Sequence, residues 1–500
     1  MDAFNNLMAG INVALQPTNF FYCFSGVFLG TLIGVLPGIG PMGGIALLLP
    51  LTYRISGMAS IIFLAGIYYG CQYGGSTTSI LMNVPGEAST IITCIDGHQM
   101  ALKGRAGPAL GIAAFGSFIA GTLGTIGLML VANPLAKIAL KFGTSEFFAL
   151  MVLGIVVLVS ISSKSILKSL VMAVVGFALS LVGIDPIAGS ERFTFGVLHL
   201  NSGLDLAPLA IGLFGVSEVL IDMEESIKAS FNIIKTELKE YFPSLKDWRD
   251  SAGPILRGTV LGFLVGIIPG GGAILASFAS YAAEKRLSKH PEKFGTGVIE
   301  GVAGPESANN SATSGGFIPL LTMGIPSNAV MALLLGALMI HGVRTGPLFM
   351  SEHSDIFWGV IGSMYIGNVM LLILNLPLIP LWVQLLKVPS KILLPLILLF
   401  CILGSYSVNN NILDVLIMSL SGLGGYVLRK LDYEVAPICL AFLLGPIMES
   451  SFRRSLIISD GSFMIFVTRP ITAVTLLVSL FLLVYFGLKR KKIFDLDLET

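Results

Sequence analysis

Long apolar runs broken by Gly and Pro dominate the chain. Several reach 18 residues or more, the length at which a helix rising about 1.5 Å per residue crosses the hydrocarbon layer of a bilayer. The pattern predicts an all-α, polytopic membrane protein of about 10–12 helical segments. Series such as Gly116, Gly121, Gly124 and Gly127 are explained by close helix packing, because small residues let backbones approach in lipid. Pro-Gly pairs inside apolar sequence, as in Leu36-Pro37-Gly38-Ile39-Gly40, are not. Such a step interrupts the helical hydrogen-bond ladder, and bare backbone at membrane depth is tolerated only beside protein or water. About 15 apolar residues precede this break and about 12 follow it, so neither arm is a comfortable span. Two arms meeting at Pro-Gly predict re-entrant hairpins at 22–53 and 254–284, with a single kinked helix as the alternative.

The two hairpins belong to an internal repeat. GVFLGTLIGVLPGIG (26–40) and GTVLGFLVGIIPGGG (258–272) share eight of fifteen positions. Further along, Gly75–Pro85 aligns with Gly316–Pro326, and Arg105–Pro108 with Arg344–Pro347. Gly116, Ser117, Gly121, Pro134 and Lys141 then match Gly362, Ser363, Gly367, Pro380 and Lys387 at a constant offset. An ordered series of this kind predicts two homologous membrane halves, 1–227 and 258–456. A polar cytoplasmic linker, 228–257, joins them, and an extra C-terminal helix with a basic tail follows at 457–500. With the linker cytoplasmic and an odd number of crossings per half, the repeats are inverted. Basic residues then divide 22 inside to 8 outside, the asymmetry expected of cytoplasmic loops. Arg453, Arg454 and Arg469 fit that division poorly.

Composition narrows the class further. Hydrophobic residues are 54% of the chain and charged residues 12%, about half the roughly 25% of soluble proteins. Mean hydropathy is +0.87, and a net charge of +1 excludes a nucleic-acid binder working through a basic surface. The five cysteines (Cys23, Cys71, Cys94, Cys401, Cys439) lie singly in or beside apolar segments and read as small buried hydrophobes. No Lys or Arg precedes Arg54, so the first segment lacks the basic region of a cleavable signal peptide and is expected to be retained. There is no HExxH, GxSxG or Walker sequence and no metal-ligand constellation, which argues against an enzyme or an ATP-driven pump. No cofactor is expected beyond a coupling ion.

Two polar clusters stand out in this apolar background, Tyr73–Glu87 (continuing to Thr93) and Gly304–Gly316 followed by Thr322–Asn328. Gly and Pro open the backbone there, while Ser, Thr and Asn supply short neutral donors and acceptors. Freed N–H groups at a half-helix N-terminus suit a carboxylate; freed carbonyls at a C-terminus suit a small cation. The candidate substrate residues are Ser76, Thr77, Thr78, Ser79, Asn83, Pro85 and Gly86 from the first half. From the second come Ser307, Asn309, Asn310, Ser311, Thr322, Pro326, Ser327 and Asn328. Candidate cation ligands are the backbone at Gly38, Gly40, Gly270, Gly271 and Gly272, with Thr313. A lone Ser or Thr in a helix more often bonds back to its own carbonyls, so weight falls on the pairing of the clusters beside Pro breaks. Glu87, Glu306, Asp96 and His98 are the ionisable candidates, with interfacial helix ends as the competing reading for the glutamates. Arg105 and Arg344 read as interfacial anchors.

With these motifs in view, the chain resembles the large membrane subunit of the tripartite tricarboxylate transporter (TctA) family. The resemblance rests on GVLPGIGPMGGIALLLPLTY (34–53), AGIYYGCQYGGSTTSILMNVPGEAST (65–90), DGHQMALKGRAGPALGIAAFGSF (96–118) and GPESANNSATSGGFIPLLTMGIPSNAVMALLLGAL (304–338). It implies a bacterial inner-membrane permease that imports organic di- and tricarboxylates, coupled to Na⁺ or H⁺. It also implies a periplasmic solute-binding protein, a small membrane subunit of about four helices and an elevator-type movement. A gradient-independent channel and a non-transporting membrane scaffold remain as rival readings of the residues themselves.

Overall fold

The computed structural model describes residues 2–36, 39–161, 165–225, 241–268, 272–385 and 390–497. Helices carry nearly all of the described chain. In the first half they are α1 (Asp2–Ala14), α2 (Pro17–Val35), α3 (Gly40–Leu48), α4 (Gly57–Met82), α5 (Ala106–Ala139), α6 (Thr144–Ile161), α7 (Ile166–Ser180) and α8 (Leu206–Glu224). Then come α9 (Leu245–Ile267), α10 (Gly272–Leu287), α11 (Glu300–Met323), α12 (Ala329–Ile340), α13 (Ser354–Asn375), α14 (Ser390–Asn409), α15 (Ile412–Lys430), α16 (Ala436–Ile458) and α17 (Pro470–Asp497). The pieces outnumber the segments expected because Gly and Pro split several spans. Among the described residues α2, α5, α8, α13 and α15 are long and apolar enough to cross a membrane. The only strands among them are two residues each, pairing Gly183 with Arg192 and Ile184 with Glu191.

Local chemistry fixes several helix starts. Pro17 opens α2, where its missing N–H has no partner to lose. The Ser56 hydroxyl accepts from the Ala59 N–H at 3.2 Å to begin α4. Ser244 and Asp247 form a reciprocal capping box that starts α9 at Leu245, so the last part of the stretch expected as linker is helix. Residues 226–240 of that stretch lie outside the described residues.

Glycines then decide how the helices meet. A Cβ placed on Gly26, Gly30 or Gly34 of α2 would lie 2.3, 2.6 or 2.3 Å from the carbonyl oxygens of Phe63, Ile67 and Cys71 in α4. The contact is reciprocal, because a Cβ on Gly74 would meet the Thr31 oxygen at 2.2 Å. In the second half, Gly258, Gly262 and Gly266 of α9 stand against the carbonyls of Gly304, Ala308 and Ala312 in α11, at 2.3, 2.2 and 2.2 Å. Both pairs are therefore backbone-on-backbone contacts that admit no side chain.

These contacts settle the course of the chain at the Pro-Gly breaks. Partners of α2 and α4 rise together along both helices at a constant separation, so the two helices are parallel. A chain leaving α2 must then return to its starting side before α4 begins, and α3 makes that return. The same holds for α9, α10 and α11. The breaks are re-entrant hairpins and not single kinked helices, although Pro37, Gly38 and Pro269–Gly271 at the tips lie outside the described residues.

The core helices themselves break at positions that the alignment pairs. α4 ends at Asn83 (φ 59°) and α11 at Gly324 (φ 70°), both left-handed. The next helical turns are capped by Glu87 and Asn328. Each cap faces a hairpin tip: a Cβ on Gly40 would lie 4.0 Å from the Glu87 Cβ, and one on Gly272 3.1 Å from the Asn328 Nδ2. Between the halves, α4 and α11 run antiparallel. Ile80 and Val302 both flank Gly97, Ser76 bonds Glu306, and Gln72 and Asn309 share Ser89, so one series falls as the other rises.

Large apolar side chains stay exposed on the outer helices, including Leu416, Leu420 and Leu423 of α15 and Leu477, Leu480 and Phe481 of α17. Two of the three arginines that fitted the charge division poorly are paired here. Arg453 joins Asp185 at 2.8 Å and Glu449 at 3.0 Å, and Arg469 joins Glu146 at 3.3 Å.

Substituting a glycine at these contacts is expected to force the helices apart. Gly262→Ala lowers stability by about 1–3 kcal/mol, the usual cost of overpacking, and Gly424→Ala, in open space, leaves it unchanged. Thermal unfolding of the detergent-purified variants measures the difference; equal midpoints for the two would refute the packing assignment.

Candidate functional site

The centre of the molecule is a buried polar network where α4 and α11 cross. Pro305 and Pro319 sit inside α11, where neither can donate to the ladder, so the carbonyls four residues before them lose their helical partner. Glu306 follows the first of these prolines and is fully buried, and Glu87 is 7% exposed. The Ser76 hydroxyl donates to Glu306 Oε2 at 2.6 Å, the Asn309 amide donates to the same oxygen at 3.3 Å, and Thr93 donates to Oε1. Ser89 bonds both Gln72 (2.8 Å) and Glu87, and receives the Asn309 amide at 3.4 Å. A continuous chain of hydrogen bonds therefore runs from Glu87 through Ser89 and Asn309 to Glu306. Among the described residues no basic side chain lies within ion-pair distance of either glutamate. Burying an unpaired ionised carboxylate costs on the order of several kcal/mol, so such groups are kept only where they are used or well solvated by donors.

The candidates from sequence divide into three groups. Ser76, Asn309 and Asn310 enter the network directly, Asn310 donating to the Glu306 carbonyl at 3.1 Å and to Asn309 Oδ1 at 2.7 Å. Ser79 joins its rim through Thr90 at 2.8 Å, and Thr77 lines the adjoining cavity. A second group is structural. Thr78 and Thr322 return their hydroxyls to Gly75 and Ile318 carbonyls at 3.1 and 2.7 Å, and Ser311 pins α11 to the Thr259 carbonyl of α9 at 2.7 Å. Asn83 stands exposed in the left-handed turn that ends α4, Pro85 is half-buried, and Gly86 lies where a Cβ would meet the Gly34 oxygen at 2.1 Å. Pro326 and Ser327 are buried beside the second break, and Asn328 caps α12 by accepting the Met331 N–H at 3.0 Å while its amide reaches the Tyr68 hydroxyl at 3.3 Å. Ser307 is the third case, a fully buried hydroxyl without a partner beside Gly116.

Of the candidate cation ligands, Gly38, Gly270 and Gly271 lie outside the described residues. Gly40 and Gly272 are at the tips in positive-φ conformations of 59° and 75°. Thr313 bonds the Asn309 carbonyl at 3.0 Å, which leaves it a cavity-lining hydroxyl.

Two cavities adjoin the network. One, with room for about one water, is lined by Tyr73, Ser76, Thr77, Ser117 and Asn375 together with apolar side chains. The other, little larger, is lined by Asn310, Thr313, Ser314, Thr125, Asn368 and Tyr69, among others. Both walls are rich in neutral donors and acceptors. Sequence reading did not single out Gln72, Ser89, Asn368 and Asn375. Ser89 lies within the first polar cluster, and the other three are single polar residues in otherwise apolar or small-residue stretches, an isolation that was the available signal. Asn368 shows why it counts: its oxygen accepts the Tyr73 hydroxyl at 2.7 Å and its amide bonds the Phe118 carbonyl at 2.8 Å, tying three helices together.

The remaining charged candidates have structural duties. Asp96 is fully buried and accepts from the backbone N–H groups of Gly295, Gly297 and Val298 at 2.7–3.0 Å and from the Tyr281 hydroxyl at 2.8 Å. It therefore clamps the loop between α10 and α11. Arg105 pairs with Asp247 at the start of α9, and Arg344 is exposed. The Asp247 carboxyl is held below its ordinary range: burial opposes ionisation, and the Ser244 hydroxyl, the Ser244 N–H and Arg105 outweigh it.

Re-entrant hairpins packed on broken core helices, with polar groups gathered at the breaks, define a multi-pass membrane protein of the transporter class. A family model described as the tripartite tricarboxylate transporter TctA family matches residues 20–440. The chain belongs to that family, the large subunit of tripartite tricarboxylate transporters. It is 52% identical over 480 residues to an uncharacterized 52.8 kDa protein of the TAR-I region of Agrobacterium vitis, covering 96% of this chain and 95% of that one. A TAR-II-region protein of the same organism is 54% identical over 212 residues, 42% of this chain and 88% of its own. An uncharacterized protein of Methanocaldococcus jannaschii is 27% identical over 202 residues, 39% of this chain and 48% of its own.

Removing the Asp96 clamp strands several buried donors, each costing about 1–3 kcal/mol. Asp96→Ala is expected to lower the unfolding midpoint and to speed amide exchange at Gly295–Val298 selectively. Unchanged protection of that loop would show that its order does not depend on Asp96.

Proposed function

We propose that the chain is the permease subunit of a secondary active importer of organic di- or tricarboxylates, driven by an ion gradient across a bacterial inner membrane. The observation that carries this reading is the buried hydrogen-bonded centre between antiparallel α4 and α11, where the residues following the α4 break of the first half meet Glu306 and Asn309 of the second. Recurrence of the same hairpin, glycine contact and left-handed break at aligned positions supports inverted repeats, the architecture on which alternating access is built. The basic-residue division supports a cytoplasmic linker and C-terminus. A channel has no need of a closed-off polar centre, and a scaffold has no need of buried glutamates.

The small cavity lined by Asn310, Thr313, Ser314, Thr125 and Asn368 marks where the substrate is held once the site opens. The amides and hydroxyls there are bonded within the protein in this closed arrangement, and on opening they turn to donate to carboxylate oxygens without a basic side chain, so affinity stays modest and release is not blocked by an ion pair. Specificity then falls to the partner that delivers the solute, an extracytoplasmic binding protein, with a small membrane subunit completing the assembly as the family name implies.

Reconstitution of the chain with its small subunit and binding protein tests this reading. Expected is saturable uptake of a di- or tricarboxylate that requires the binding protein and an imposed Na⁺ or H⁺ gradient. Asn310→Ala is expected to reduce kcat/KM by about 10- to 100-fold, the equivalent of one hydrogen bond to a charged group at roughly 1.5–3 kcal/mol. Non-saturating flux without a gradient would replace the permease with a channel.

A further inference from the structure

The buried centre contains two carboxyl groups and no base, which is an unusual place to receive a multiply charged anion. Like charges in a medium of low dielectric repel strongly, so an anionic substrate and two ionised glutamates cannot share this space. Something must neutralise the protein before the substrate enters. Its identity follows from the groups around Glu306. Oε2 faces the Ser76 hydroxyl and the Asn309 amide, and Oε1 faces the Thr93 hydroxyl. The Asn309 amide presents N–H to the carboxyl and in that role only donates. Hydroxyls, by contrast, both donate and accept. Ser76 and Thr93 donate to the carboxylate, and either can turn to accept from the carboxylic acid. Glu306 thus keeps a complete set of hydrogen bonds in both charge states without movement of the backbone.

A second feature points to a donor beside this carboxyl. Asn375 is 4% exposed and its amide nitrogen donates to the Leu371 carbonyl at 2.9 Å, while its Oδ1 has no partner. Asn375 lines the small cavity whose wall also includes Tyr73, Thr77, Ser117 and Ser76, the residue bonded to Glu306. A buried acceptor without a donor calls for a water in the cavity, and water is a proton carrier. The cavity therefore joins the carboxyl, through the Ser76 hydroxyl, to a place where a proton carrier is stabilised. The other ionisable groups facing Glu306 are Tyr73 of α4, Glu87 beyond the α4 break and Cys94 of the following turn. None carries positive charge.

Resting on the permease reading above, we propose that Glu306 is the coupling site of the transporter and that the coupled ion is a proton. A proton delivered by water in the Asn375 cavity binds a Glu306 carboxylate oxygen, the neutral site admits the anionic substrate, and the same proton returns to water on the far side after substrate release. Glu87, linked through Ser89 and Asn309, shares the negative charge that makes loading obligatory. One proton is taken up and one released per turnover at this group, and no other species is consumed.

The test has two arms on the full chain. In the first, pH-difference infrared spectroscopy of purified protein, without substrate or partners, is expected to show a titrating band of a protonated carboxyl group that is missing in Glu306→Gln. In the second, the reconstituted three-component system is expected to take up carboxylate several-fold faster under an inward proton gradient, and that ratio falls to one in Glu306→Gln. Ser76→Ala, a smaller change, shifts the pH midpoint of both readouts without abolishing either. A band that persists in Glu306→Gln, or wild-type uptake that follows a Na⁺ gradient and ignores pH, overturns the proposal. Absence of any wild-type uptake with an intact infrared band would strike the permease reading and leave the proton site standing.

Discussion

Backbone contact between a hairpin arm and a core helix is the constraint on which the rest of this structure depends. Gly26, Gly30 and Gly34 against α4, and Gly258, Gly262 and Gly266 against α11, bring carbonyls to where a side chain would otherwise be. In lipid there is no hydrophobic driving force between helices, so close van der Waals contact of this kind is what holds them. Because each contact repeats every four residues, it also fixes direction: arm and core helix are parallel, and the chain has to turn back at the Pro-Gly tip. The hairpin follows from the packing.

That geometry places the helix breaks. An arm that reaches only part of the way ends beside the interior of a core helix, and the cap of the next turn sits against its tip, Glu87 near Gly40 and Asn328 near Gly272. Broken backbone in a membrane requires polar company, and each half supplies it to the other. Ser76, Gln72 and Ser89 of the first half meet Glu306 and Asn309 of the second. The site is therefore an interface between halves, and a movement of either half changes what the glutamates touch.

Much of this was legible in residue order. The Pro-Gly steps within apolar runs marked the hairpins, and GxxxGxxxG marked the faces on which they pack. Ser76, Asn309 and Asn310 were legible as candidates because short polar groups clustered beside breaks stand out from the apolar background, and the structure brings these three into the buried network. Asn83 shows the limit: it sits in the same cluster, yet its place is the exposed left-handed end of α4, a position where Asn is favoured for its backbone. Sequence proximity to a break cannot separate residues that line the break from residues that make it. Asp96 is a similar case, an acid in a membrane-depth segment whose task is to hold the Gly295–Val298 loop.

By itself, then, the sequence determined a helical membrane protein with apolar arms meeting at Pro-Gly tips and polar clusters beside helix breaks, because hydropathy, Gly and Pro act through local backbone physics. Which polar residue meets which was decided only by tertiary structure. Glu306 is separated from Ser76 and Thr93 by more than two hundred residues, and Asn375 reaches the same centre from a helix with no polar cluster at all. Those meetings depend on the antiparallel crossing of α4 and α11, a relation between elements that no local pattern encodes.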